Sequence, residues 1–130
     1  MKLHLFIIDY DPIFRLLTTR LISKLEVPFL EIHECENGEI GIEALQKLSD
    51  TNEKIIIFLD INMPVLNGWD FLEILNQKDS FNIQNISIFI VSSSIDKNDI
   101  LKAESYELVK QFIAKPMDLQ TIKSIIIESN

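Results

Sequence analysis

Apolar residues cluster in five short runs: Leu3 to Ile8, Leu30 to Glu36, Ile55 to Leu59, Ile86 to Val91 and Val109 to Ala114. Each is too short for a free-standing helix; the third is continuous and rich in β-branched residues, as in a strand buried on both faces, and the fourth is again largely apolar. The second alternates instead, with Leu30, Ile32 and, more weakly, His33 and Cys35 set against Glu31 and Glu34. That spacing predicts a half-exposed or edge strand. Between the runs the apolar spacing becomes helical. Asp11-Pro12 reads as a cap and first turn, and a helix to about Leu25 carries Phe14, Leu17, Leu21 and Leu25 as its inward stripe. Ile13 and Leu16 lie beside that stripe, partly exposed near the strand ends, where the edge of the core is the commoner reading and a docking surface the other. Asn37-Gly38 marks a turn before a helix whose apolar face is Ile40, Ala44, Leu45 and Leu48. A third helix follows Gly68, with Phe71, Leu72 and Leu75 inward and Trp69 as a large residue at its start. Asp96 opens a short, weakly apolar helix through Ala103, and Asp118 caps a last one bearing Leu119, Ile122, Ile125 and Ile126.

Strand and helix alternate throughout, and parallel neighbours need crossover connections. The expected fold is therefore α/β: a five-stranded parallel sheet with helices on both faces. The order 2-1-3-4-5 is the common solution for such a chain. In a sheet of this kind ligands gather beyond the carboxyl ends of the strands. Asp9, Asp60, Ser92 and Lys115 all stand there.

The 130 residues suit one domain, 1–130, with a core that needs no staples. A hydrophobic fraction of 47% and a charged fraction of 25% are ordinary for a soluble globular chain. The net charge of −8 argues against nucleic acid as a partner, since phosphate binding needs clustered Lys and Arg. Cys35 is the single cysteine, so no intramolecular disulfide exists and the thiol reads as inert. The run Met1 to Ile8 is too short for a signal-peptide core or a membrane span, which makes the cytoplasm the expected setting. No linker, repeat or second domain is expected. His33 has no second ligand at metal-binding spacing and reads as a strand surface residue.

An aspartate at a strand end is commonly a cap or turn residue. Here the surrounding combination changes that reading. Leu59-Asp60-Ile61-Asn62-Met63-Pro64 with Gly68 resembles the phosphoacceptor segment of response-regulator receiver domains, the CheY-like branch of the flavodoxin-like folds. Asp9 after the first strand, Ser92 after the fourth and Lys115-Pro116 after the fifth occur in that family's order, and the resemblance spans essentially the whole chain. It implies that Asp60 is the phosphoacceptor, taking a phosphoryl group from a histidine kinase or a histidine phosphotransfer protein. It implies Mg²⁺ as cofactor, held by Asp9, Asp60 and the main-chain carbonyl of Asn62. Lys115 would pair with the carboxylate or the phosphoryl oxygen. Ser92 would donate its hydroxyl to the attached group, and Phe112 would be the aromatic switch residue that follows it, though an ordinary strand aromatic fits Phe112 as well.

One position departs from the family. Receivers usually carry two adjacent acids after the first strand, and this chain has Asp9-Tyr10. Asp11 is a further candidate ligand, but it also serves as the helix cap. The expectation is weakened Mg²⁺ binding. With no effector domain, the signal of such a stand-alone, non-enzymatic regulator would leave through surface contacts with a downstream protein target. Two other readings compete. The opening Phe6-Ile7-Ile8-Asp9-Tyr10-Asp11 also resembles haloacid-dehalogenase-type phosphatases, with Asp9 as nucleophile and Asp11 as acid/base, but that leaves Asp60 unexplained. A phosphate-independent binding module with the receiver fold is favoured only by Tyr10.

Overall fold

The computed structural model describes residues 2–77 and 81–129. Five strands, β1 (Leu3–Ile8), β2 (Leu30–Cys35), β3 (Lys54–Leu59), β4 (Ile86–Ser92) and β5 (Val109–Ala114), alternate with five helices. The helices are α1 (Pro12–Ser23), α2 (Gly38–Gln46), α3 (Gly68–Gln77), α4 (Lys97–Glu104) and α5 (Leu119–Ser129). The sheet is parallel throughout and ordered β2-β1-β3-β4-β5, as the alternation predicts. A 3₁₀ turn over Ile83–Asn85, not foreseen in the sequence, leads into β4.

The pleat sends alternate side chains of each strand to opposite faces, and two separate cores result. Phe6, Ile8, Ile57, Leu59, Ile88 and Ile90 pack with α2 and α3 through Ile42, Leu45, Phe71, Leu72 and Leu75, and with Ala103 of α4. Leu3, Leu5, Ile7, Ile56, Phe58 and Val91 pack against Ile22 of α1 and Ile122, Ile125 and Ile126 of α5. β1 and β3 are covered on both sides, which explains why they are apolar but for His4 and the leading Lys54.

The helix starts follow the cap chemistry. Asp11, Asn37, Asp96 and Asp118 each accept a main-chain N–H of the following turn, from Ile13, Ile40, Asn98 and Thr121. Asn67 does the same for Asp70 at the start of α3. Two helix faces differ from expectation. On α1 the buried positions are Thr18 and Ile22, while Leu17 is 53% exposed. On α2 Gly38, Gly41, Ile42 and Leu45 face the core, and Ile40 turns outward. The other expected positions do pack inward, Phe14, Leu21 and Leu25 on one face of the sheet and Ala44, Leu45 and Leu48 on the other, so only Leu17 and Ile40 depart.

Cys35 is buried, and burial raises its thiol to about 11, so it is chemically quiet. Trp69 stacks on Tyr106 with ring centroids 6.3 Å apart, and the Lys102 amine lies 4.6 Å above its ring. Tyr106 donates its hydroxyl to Glu73 at 2.6 Å, tying the end of α4 to α3.

Candidate functional site

The strands deliver their terminal polar residues to one crevice. The main-chain N–H of Asp60 donates to the carbonyl of Ile8 at 2.9 Å, and that of Lys115 to Ser92 at 2.8 Å, so β1 with β3 and β4 with β5 end in register. All four terminal side chains come from rigid elements. Asp9 is 1% exposed, Asp60 8% and Ser92 1%, whereas Ser93 and Ser94 are exposed. The serine directly following the apolar run is thus the one turned into the protein.

Lys115 points at Asp9: its Nζ lies 2.8 Å from Asp9 Oδ2. The sequence reading paired this lysine with Asp60, and in the structure its direct contact is the neighbouring acid. The contact is an ion pair without hydrogen-bond alignment, so Asp9 Oδ2 remains a buried oxygen with no hydrogen bond. The other oxygen, Oδ1, accepts the main-chain N–H of Asp11 at 2.9 Å. The amine also sits 4.4 Å above the ring of Phe14, a cation–π contact that holds the charge beside apolar surface. Phe14 read in the sequence only as core. Arg15 was missed as well: Nη1 donates to the Asp9 carbonyl at 2.6 Å, and Nε lies 3.5 Å from Glu34. Nothing in local spacing marks it, because its role depends on where α1 lies over β1.

The Asp60 carboxyl is pushed up to about 6 by burial first and then by the charge of Asp9. The Lys115 amine and the Asn62 main-chain N–H, 3.4 Å from Asp60 Oδ1, pull the other way. Two carboxylates therefore share one cation in a nearly closed space. A divalent ion in such an arrangement would cancel the surplus negative charge and give Asp9 Oδ2 a second cation. Asp11 is less well placed for that task, since its side chain already caps α1. Tyr10, where a second acid would add charge, is 57% exposed.

The loop after Asp60 is shaped by Gly68. Its N–H donates to the Ile61 carbonyl at 2.9 Å, and a Cβ there would stand 2.7 Å from the Asp60 carbonyl oxygen and 2.8 Å from Ile61 Cα. Only glycine lets α3 begin so close to the backbone that carries the acid. The Lys115–Pro116 peptide bond is cis. Phe112, paired with Ile90 across β4 and β5, is half-buried against the α3-side core. It borders an open groove of about 250 Å³ between α4 and β5, shared with Ile100, Ala103 and Gln111. Asp9 is almost wholly enclosed, and Asp11, though exposed, has its carboxylate engaged in the cap of α1.

Over residues 5–127 the chain matches the model of the response regulator receiver domain. The chemotaxis protein CheY1 of Helicobacter pylori is 27% identical over 106 residues, which are 82% of this chain and 83% of that protein. A protein-glutamate methylesterase/protein-glutamine glutaminase of Bacillus licheniformis is 31% identical over 114 residues, 83% of this chain and 30% of that longer protein. Among solved structures, a two-component response regulator from Cytophaga hutchinsonii aligns with a TM-score of 0.85 at 27% identity, covering 99% of this chain and 98% of that one. A two-component response regulator from Legionella pneumophila has the same fold, with a TM-score of 0.81 at 23% identity over 98% of each chain.

Proposed function

Because this chain belongs to the response regulator receiver domains, we propose that it is a phosphorelay component that accepts a phosphoryl group on Asp60 and passes the signal on by changing shape. The observation that carries this reading is the convergence of Asp9, Asp60, Ser92 and Lys115 on one crevice from four strand ends. The donor is a phosphohistidine on a histidine kinase or phosphotransfer protein, and the setting is the cytoplasm. An ionised Asp60 oxygen attacks the phosphorus in line, the P–N bond to the donor imidazole breaks, and the electron pair leaves with that ring. Receiver domains bind Mg²⁺ at acidic residues, and here Asp9, Asp60 and the Asn62 carbonyl would hold it, offsetting charge on the phosphoryl oxygens. Lys115, now against Asp9, is within electrostatic reach of Asp60 and is available to the new group.

Ser92 Oγ accepts the Ser94 main-chain N–H at 3.3 Å, which leaves its own proton free for a phosphoryl oxygen. The attached group is roughly doubly negative with three acceptor oxygens. Moving a switch from 1:99 to 99:1 takes about 5.5 kcal/mol of differential stabilisation, a sum within reach of a few charge-assisted hydrogen bonds. Phe112 and the groove beside it are the output end, facing a downstream protein target. Ile13, Leu16 and Leu17 stand exposed on α1, and they supply an apolar surface for the donor.

The test is treatment with acetyl phosphate or a phosphorylated kinase, followed by mass spectrometry. Label on Asp60, lost in Asp60→Asn, is the expected result. Label on Asp9 would return the phosphatase reading. No label in the parent or in Tyr10→Asp would favour the second reading, a phosphate-independent binding module, for which the exposed Tyr10 in place of an acid is the specific observation. Beryllofluoride should shift the amide resonances around Ser92 and Phe112, and a silent spectrum would remove the switch.

A further inference from the structure

At the other end of β1 the structure corrects the reading of His33 as a lone surface residue. The β1–β2 register sets His4 opposite Glu31 and Phe6 opposite His33. Period-two alternation then brings His4, Glu31 and His33 to the same face of the sheet. We propose that His4 Nδ1, His33 Nε2 and Glu31 Oε1 form a binding site for Zn²⁺ or a similar first-row divalent ion, remote from the acidic crevice. Asp9 follows His4 by five residues of extended chain, about 16 Å at 3.3 Å per residue.

The three candidate ligand atoms all lie within 4.8 Å of one another. His4 Nδ1 is 3.0 Å from His33 Nε2, and His33 Nε2 is 3.7 Å from Glu31 Oε1. Tetrahedral zinc with bonds near 2.0–2.1 Å sets its ligand atoms roughly 3.3 Å apart. These two separations bracket that value, and the third, within 4.8 Å, closes by side-chain rotation. Two imidazoles and a carboxylate are also a zinc ligand set, with one position left for water. Imidazole nitrogen favours such ions over Mg²⁺, whose preference is for oxygen.

The surroundings orient each ligand. His4 is 2% exposed, and its Nε2 lies 3.1 Å from Glu53 Oε1. A proton on Nε2 donated to that carboxylate leaves Nδ1 with a free lone pair, the arrangement by which metal-bound histidines are commonly held. Glu53 is in turn fixed by the Lys2 main-chain N–H at 2.9 Å. Glu31 accepts the Lys2 amine on Oε2 at 3.0 Å, keeping Oε1 for the ion. The His33 ring stacks on Phe6, centroids 4.4 Å apart, so its plane is set by a core residue. Burial also holds the His33 ring below its ordinary pKa despite Glu31, which favours the neutral, ligating form. Without a metal, the short contact between the rings requires His33 to carry its proton on Nε2. On binding, that proton moves to Nδ1 of the same ring and the metal takes its place.

Calorimetric titration of Zn²⁺ into the whole chain, with Mg²⁺ in excess to occupy the crevice, tests the assignment. One site per chain is expected, and Co²⁺ in place of Zn²⁺ should give the visible absorption of a tetrahedral nitrogen-ligated ion. His33→Gln and Glu31→Gln should each lower the association constant at least about 10-fold, and Glu53→Gln, which reaches the site only through the His4 ring, about 10–100-fold. Thermal melts without metal check that these half-exposed changes leave the fold intact. Asp60→Asn should leave the isotherm unchanged. The proposal is overturned if the parent binds no Zn²⁺, if His33→Gln binds it as the parent does, or if Asp60→Asn abolishes binding. In those cases the cluster is a hydrogen-bonded polar network only, or the ion sits in the crevice.

Discussion

β1 buries a titratable side chain at each end, and the two ends satisfy them in opposite ways. At its start, His4 finds an acceptor in Glu53 and a second ring in His33, so each of its nitrogens has a partner. At its end, Asp9 meets another carboxylate and one lysine, whose amine lies 2.8 Å from Oδ2 without a hydrogen bond. The first end is self-consistent without an ion and must give up a hydrogen bond to take one. The second is in electrostatic conflict until a cation relieves it. A rigid strand between two apolar layers can maintain that conflict, because neither carboxylate can swing away into water. The site that is uncomfortable at rest is the one suited to switching.

The conflict predicts a pH signature. Asp60 has its carboxyl raised from the usual 3.8 to about 6, so the folded state holds more protons than the unfolded one between those values. Stability therefore falls as pH rises through this window, and above it the whole penalty is present. Asp60→Asn removes the charge while keeping an oxygen for the Asn62 N–H. Equilibrium denaturation at pH 8 should show the variant more stable by about 1–3 kcal/mol, from up to 2 pK units at 1.36 kcal/mol each. Below pH 4 the two proteins should coincide. Equal stability at both pH values would mean that the acid is not strained, and the contrast between the two ends would go with it.

Much of this was readable along the chain, because strands and strand ends are one-dimensional features. β1, β3 and β5 and the residues ending them follow from where apolar runs stop. Helix orientation was less legible. Leu17 and Ile40 outrank Thr18 and Gly41 in hydrophobicity, yet α1 and α2 bury the latter. Gly41 lies where a Cβ would come 2.7 Å from Ile8 Cδ1, so close approach to β1 decides that face. The pairing of Lys115 with Asp9 and of His33 with His4 depends on the register between strands far apart in sequence. A spacing rule applied within one segment does not reach such contacts.

Tyr10→Asp would deepen the imbalance at the acidic end. An added carboxylate about 4 Å from a cation contributes roughly 4 kcal/mol of attraction at an effective dielectric near 20, before desolvation. If about a third survives desolvation, Mg²⁺ association should rise about 10-fold in calorimetric titration. Without Mg²⁺ the same change should lower stability at neutral pH. An unchanged Mg²⁺ affinity would show that Asp9 and Asp60 already saturate what the crevice offers.

His33→Gln probes the other end and should have the smallest effect. Loss of the contact with His4 costs about 1 kcal/mol without metal, the ordinary net value of such a hydrogen bond. Its pH dependence is more informative than its size. Burial, helped by the charges of His4 and Lys2 and opposed by Glu31, lowers the pKa of His33 below 6.5. The folded state then holds fewer protons than the unfolded one just under pH 6.5, so His33 makes stability rise with pH there and fall as the pH drops. Asp60 gives the opposite slope over part of the same range. Removing His33 should leave the downward slope of the acidic end exposed, and removing Asp60 should leave the upward slope of the histidine end. Stability curves of the two variants that diverge between pH 5 and 6.5 would show the two ends of one strand titrating against each other, and parallel curves would show that they do not.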